Sequence, residues 1–274
     1  MSVKQAVIVS DLHCGCRYGL CPPEVVLGDG SRHKSSKEQR SVWEKWEHFW
    51  NVWVPRVTRG DEYAIVLNGD LIDGDHHGVN TLITNNLADQ HRIATACLTQ
   101  YVQGKKTYVV RGTECHVGKS GQDEERLAES LGAVRSKTGQ YSRFELRLQL
   151  GRALVDIQHH ISTVGSNAYE TTALQKVFVS ACEEAGRWRY PAPDVIVRSH
   201  RHRYAKTEVP VADGHVGLVV TTPGWQLKTP LTFRMMGAQM ATPQIGGVLV
   251  VCGDEEIYER HRVWSLSRPK PEKV

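Results

Sequence analysis

The sequence predicts an α/β protein. Three observations carry this expectation: five short β-branched runs each give way at once to polar residues, helix-like patterns fill the intervals between them, and two more apolar runs arrive late in the chain. Strands that are apolar along their whole length are buried on both faces, so helices or another sheet must cover them.

The first run, Ala6-Val7-Ile8-Val9-Ser10, stops at Asp11, and the second, Tyr63-Ala64-Ile65-Val66-Leu67, stops at Asn68-Gly69-Asp70. Between them, Ser35-Ser36-Lys37-Glu38 has capping-box spacing for a helix start. Trp43, Trp46, Trp50 and Trp53 then recur three or four residues apart, which places the four indoles on one helical face. A core-facing stripe is the expectation, and an exposed platform for nucleic-acid bases is the alternative. A second helix is expected from Leu82 to Val102.

The third run, Thr107-Tyr108-Val109-Val110, leads into Arg111-Gly112-Thr113-Glu114-Cys115-His116. Gln122 to Leu131, closed by Gly132, reads as a helix, and Phe144, Leu146, Leu148 and Leu150 alternate with polar residues as in a half-exposed strand. Leu154-Val155-Asp156-Ile157 comes before His159-His160, and Asp194-Val195-Ile196-Val197 before Ser199-His200. Gly217 to Thr222 and Gly247 to Cys252 add the late strands from which a second sheet is expected.

The 274 residues form one expected domain, 1–266, followed by a tail from Ser267 to Val274 expected to be disordered. The net charge of +4 suits a phosphate-bearing partner without reaching the footprint of a dedicated nucleic-acid binder. No stretch approaches the roughly 20 apolar residues of a membrane span, and no signal-peptide pattern precedes Ala6, so a cytoplasmic location is expected. The seven cysteines lack the paired spacing of a disulfide framework and read as free thiols. Cys14 and Cys16 could hold a soft metal, but one Cys-x-Cys with no second pair favours small side chains in a tight loop.

The chemistry collects where the strands end. In open α/β sheets the carboxyl ends of strands form the ligand crevice. Asp11 and His13 flank Leu12 and can point to one side of an extended segment; Asp70 and Asp73 sit between Gly69 and Gly74; His159 or His160, His200 and His202 complete the set. An Asp after a strand is usually a turn former, and a loop His is usually a surface residue. Several of them in the same topological place require a coincidence at every strand. Carboxylate oxygens with imidazole nitrogens suit Mn, Fe, Zn, Ni or Mg rather than copper(I).

Asp11-Leu12-His13, Gly69-Asp70-Leu71-Ile72-Asp73, His159 and Ser199-His200-Arg201-His202 resemble, in order, the D-x-H, G-D-x-x-D, His and G-H-x-H blocks of calcineurin-like metallophosphoesterases. Gly19-Leu20 and the third block are similar to phage or prophage members, which would put the protein in a host cytoplasm. The resemblance runs from residue 11 to residue 202. It implies a four-layer αββα sandwich of two mixed sheets flanked by helices. It also implies two divalent ions, manganese first among the candidates. Asp11, His13 and His202 would hold one, His159 and His200 the other, and Asp70 both, with a bridging hydroxide attacking phosphorus.

The third block departs from the family, which has Gly-Asn-His there. The reading from the resemblance puts Glu114, or a water, in the Asn ligand position, and makes His116 the acid that protonates the leaving group, oriented by Asp73. Ser199 replaces a family Gly and supplies no ligand. Arg111, Arg201 and Arg203 could clamp phosphate, whereas His76 and His77 match no family ligand and read as loop residues. The implied activity is hydrolysis of phosphate mono- or diesters, nucleotides included. A nuclease using the same centre, or a protein-binding scaffold with a degenerate site, are the alternatives.

Overall fold

The computed structural model describes residues 3–75, 80–161, 169–211, 215–230, 242–266 and 271–273. His76, His77 and most of the expected tail lie outside these residues.

All five N-terminal runs form strands, and alternation of side chains along them creates the layers. The strands of the first sheet are β1 (Gln5–Val9), β4 (Ala64–Asn68), β5 (Thr107–Val110), β6 (Ser142–Arg143), β12 (Gln244–Cys252) and β13 (Ile257–Ser265), in the order β13-β12-β1-β4-β5-β6. Its β1, β4, β5 and β6 run parallel, and β12 and β13 add antiparallel neighbours. The second sheet, ordered β10-β11-β9-β8-β7, contains β7 (Leu146–Leu150), β8 (Ala153–Ile157), β9 (Val195–Arg198), β10 (Ala205–Pro210) and β11 (Val216–Thr221). A small ribbon pairs β2 (Glu24–Val26) with β3 (Arg32–Lys34).

Ala6 and Ile8 of β1 pack with Val155, Ile157, Val195 and Val197 of the second sheet, while Val7 and Val9 turn the other way onto Trp46, Phe49, Ile93 and Leu98. On the far side of the second sheet, Ile196 and Val219 meet Leu174 and Phe178 of α6 (Glu170–Trp188). The result is the expected four layers: helices, sheet, sheet, helix. One expectation changes. Of the two late runs, only β11 enters the second sheet; β12 pairs with β1, Gln5 opposite Val251, in a contact too distant along the chain to be read locally.

Helix α1 (Lys37–His48) starts one residue later than its cap spacing suggested, because Ser36 accepts from the amide of Gln39 and Gln39 returns the bond. It continues through a π-helical turn, Phe49–Trp53, into α2 (Val54–Thr58). Trp46 and Trp50 are buried, with Trp43 and Trp53 packed against the same core, so the tryptophan stripe is packing and not a base platform. Helix α3 (Leu87–Val102) starts at the Asn86 cap, five residues after the expected start. Helices α4 (Glu114–Val117) and α5 (Gln122–Ser130) follow β5. No helix among the described residues is long and apolar enough to cross a membrane.

Candidate metal centre

The loops after β1, β4, β5, β8 and β9 meet above the seam between the sheets. A buried polar network fixes them from below: Asn68 Nδ2 donates to Ser199 Oγ at 2.6 Å, and Thr222 Oγ1 lies 2.7 Å from both Ser199 Oγ and Ser10 Oγ. Ser199, which supplies no candidate ligand, thus ties the end of β4 to the end of β9. The backbone amides of Asp11 and His13 donate to the carbonyls of Gly69 and Asp70, at 2.9 and 3.0 Å, which sets the first loop against the second.

These loops are strained where the candidate ligands sit. Seven non-glycine residues among those described have positive φ, and five of them are Asp11, His13, Asp70, His200 and His202. Each such residue costs about 1–3 kcal/mol and persists only where surrounding structure imposes it. The other two, Arg59 and Arg189, are helix C-caps. Gly112 allows a further close approach, since a Cβ there would lie 2.1 Å from Asp70 Oδ1.

The side chains converge as overlapping triads. Asp11, His13 and His202 bring one potential ligand atom each to within 4.8 Å of one another; so do Asp11, Asp70 and His159, then His13, Asp70 and His116, and finally His159, His160 and His200. Asp11, Asp70, His13 and His159 are buried, while His160 and His200 stand at the exposed mouth. His159 Nδ1 donates to the Asn68 carbonyl at 2.6 Å, which turns Nε2 toward Asp70 Oδ2 at 3.0 Å. Of the histidine pair, His159 faces the carboxylates, while His160 lies beside it in the outer triad with His200.

The charges favour a cation. Burial alone would raise the pKa of Asp11, yet His202 and His159 outweigh it and hold the carboxyl below its usual range; Asp70 is likewise held down against burial by His159. Burial would lower His159, but Asp70 and Asp11 lift it to about 10. Asp11 Oδ1 is buried 3.2 Å from His202 Nε2, which lies equally close to His13 Nε2. His13 Nδ1 donates to Asp73 Oδ1 at 2.9 Å, so its Nε2 is the acceptor in that pair. A buried carboxylate oxygen with two imidazole nitrogens crowded around it is the pattern that a divalent cation satisfies once the rings give up their shared proton, and this donor set fits one.

The third block is arranged differently from its reading in the sequence. Glu114 is exposed at the start of α4 and joins none of the triads. Thr113 is the residue of this block that touches the triads: its amide donates to Asp70 Oδ1 at 2.6 Å, and its hydroxyl lies 3.0 Å from Asp70 Oδ2, 3.2 Å from His200 Nδ1 and 3.5 Å from His159 Nε2. The one sequence signal for Thr113 is its position directly after Gly112, a place usually taken by a turn residue. His116 reaches the site, with Nε2 4.0 Å from Asp70 Oδ2, and its Nδ1 donates to the backbone carbonyl of Asp73 at 2.6 Å. The Asp73 carboxylate is nearer to His13 than to His116, where the separation is 3.8 Å. Burial and the neighbouring His13 push the pKa of His116 down to about 4.

Arg111 is diverted. Val110 faces the second sheet, so Arg111 points to the helical side, where Nε donates to Ser142 Oγ at 2.8 Å and the guanidinium covers Phe144 at 4.7 Å. Arg203 is engaged by Glu170 at 3.0 Å. Arg201 differs: Nη1 and Nη2 are buried without a hydrogen-bond partner among the described residues, one residue from His200 and one from His202.

No protein family model matches the chain, and no curated protein does. Among solved structures, the chain is similar to the Zn2+ complex of Vps29 from Entamoeba histolytica, at 12% identity and a TM-score of 0.39 over 95% of this chain and 98% of that one. Vacuolar Protein Sorting 29 from Cryptosporidium parvum gives 9% identity and 0.40 over 97% and 100%. The sulfate thiohydrolase SoxB of Thermus thermophilus gives 13% and 0.39 over 97% of this chain and 57% of that one. All three TM-scores are below 0.5.

Proposed function

We propose that the chain is a calcineurin-like metallophosphoesterase that hydrolyses phosphate mono- or diesters with two divalent cations. One observation carries the reading: Asp11 belongs to two ligand triads at once, with His13 and His202 on one side and with Asp70 and His159 on the other. Two adjacent cation positions follow from that overlap more simply than one, because seven ligands exceed what a single ion needs.

Asp11, His13 and His202 would hold one cation; Asp70, His159 and His200, with the Thr113 hydroxyl, would hold the other. Bound there, divalent ions act as Lewis acids toward phosphoryl oxygens and lower the pKa of water. The chain's own groups do the rest. Arg201 offers two free guanidinium nitrogens to the anionic phosphate. Asp73 fixes the ring of His13, and its carbonyl fixes the ring of His116, so that Nε2 is the nitrogen presented to the site. An anionic ester beside His116 raises its proton affinity, and Nε2 then delivers a proton to the departing oxygen.

The test is hydrolysis by apo-protein reconstituted with Mn, Ni, Zn, Fe or Mg, assayed on p-nitrophenyl phosphate, bis(p-nitrophenyl) phosphate, cyclic nucleotides and DNA. Metal-dependent turnover that His202→Ala abolishes supports the reading. Cation binding without turnover under every combination would leave a scaffold instead.

A further inference from the structure

Beside Asp70 lies a carboxylate that the proposed chemistry does not use. Glu124, on α5, is fully buried, and no cationic side chain among the described residues pairs with it. Its Oε1 accepts from the amide of Leu71 at 2.9 Å, and its Oε2 accepts from the amide of Gly112 at 2.7 Å. Leu71 directly follows Asp70, and Gly112 is the residue packed under the Asp70 carboxylate. One side chain therefore clamps the loops after β4 and β5 at the two points that set where Asp70 sits.

We propose that Glu124 is a positioning residue that fixes Asp70 for cation binding by holding these two loops together. The inference rests on Asp70 being a ligand. Burying a carboxylate without a cationic partner carries a large desolvation cost, and an apolar side chain would fill the same space without it. What an apolar side chain cannot supply is two acceptors spaced for two amides. With both amides fixed, Thr113, which follows Gly112, is held so that its own amide reaches Asp70 Oδ1. Hydrogen-bonded groups of this kind behind a metal ligand typically change cation affinity ten- to a hundredfold when removed.

The adjacent residue provides a matched control. Glu125 also accepts backbone amides, from Tyr141 and Ser142 at 2.8 Å each, but these belong to β6 and the segment leading into it, which carry no candidate ligand. Glu125 also holds the guanidinium of Arg111 at 3.4 Å and accepts from Ser142 Oγ at 2.6 Å, so Glu125→Gln disturbs more hydrogen bonds on the same helix than Glu124→Gln does, yet none of them to Asp70 or Leu71. In Glu124→Gln the amide can accept one N–H but sets its own NH2 against the other.

The experiment is a calorimetric titration of wild-type, Glu124→Gln and Glu125→Gln with Mn2+, alongside thermal melting in chelator. Glu124→Gln should lose about ten- to a hundredfold in affinity for the cation that Asp70 holds, whereas Glu125→Gln should keep wild-type affinity whatever its melting temperature. Wild-type affinity in Glu124→Gln, or affinity losses that track melting temperature in both variants, overturns the positioning role. If Glu124→Gln does not fold, Glu124→Asp retains the charge but shortens the reach; it should show the same loss, and full affinity there also overturns the role. Absence of cation uptake by the wild type overturns the metal reading itself, and this role with it.

Discussion

The carboxylate of Asp73 lies 2.9 Å from Nδ1 of His13, and so serves a candidate ligand more directly than it serves His116. The Asp73 backbone carbonyl holds His116 instead, at 2.6 Å. Asp73→Asn should therefore weaken cation binding at the Asp11, His13 and His202 position by about tenfold, while leaving the dependence of rate on leaving-group pKa unchanged. Calorimetry and a series of aryl and alkyl phosphates check the two halves. A steeper leaving-group dependence at unaltered affinity would return Asp73 to the role its sequence block implied.

Thr113 and Glu114 should behave oppositely to the reading of the third block. Thr113→Val keeps the shape and removes the hydroxyl that faces Asp70, His159 and His200; it should lower affinity for the second cation, so that excess metal partly restores the rate. Glu114→Gln, altering an exposed side chain, should leave affinity and rate near wild type. A metal-rescued defect in Glu114→Gln alone would restore the original assignment.

His116→Asn should retain its metal and slow esters with poor leaving groups by about a hundredfold or more, since an alkoxide needs the proton most. An activated aryl ester should be slowed far less. Loss of an ion from this variant would make His116 a ligand, as its place in a triad with His13 and Asp70 allows.

Glu124 gives a pH signature in the metal-free protein. Burial, then the charge of Asp70, raises its pKa from the usual carboxylate range to about 7, so its contribution to stability is full below the unfolded value and is lost as pH rises through about 7. The melting temperature of wild type relative to Glu124→Gln should be higher at pH 5 than at pH 8, and bound cations, by neutralising Asp70, should shrink that difference. A difference that grows between pH 5 and pH 8 would show that Glu124 is ionised throughout.

Much of this architecture was legible because the signals are local. Val7, Ile65 and Val197 lie in runs buried on both faces, and the candidate ligands Asp11, Asp70, His159 and His200 each follow such a run. Less was legible where the deciding contact is distant. Nothing near Gln244 marks β12 as the neighbour of β1, and nothing in Glu124 distinguishes it from the other acidic residues in the first turn of α5. The diversion of Arg111 follows from strand alternation, since Val110 must fill the gap between sheets. Thr113 was hidden because a hydroxyl after a glycine looks like a turn until Asp70 is placed above it.

Two cations, one held by Asp11, His13 and His202 and the other by Asp70, His159 and His200, would register directly in the metal content of the protein. Protein loaded with excess Mn2+, desalted and analysed for metal should carry close to two equivalents, and Asp70→Asn should carry clearly fewer. One equivalent or none in the wild type, or a content that Asp70→Asn does not change, would rule out the pair of cations.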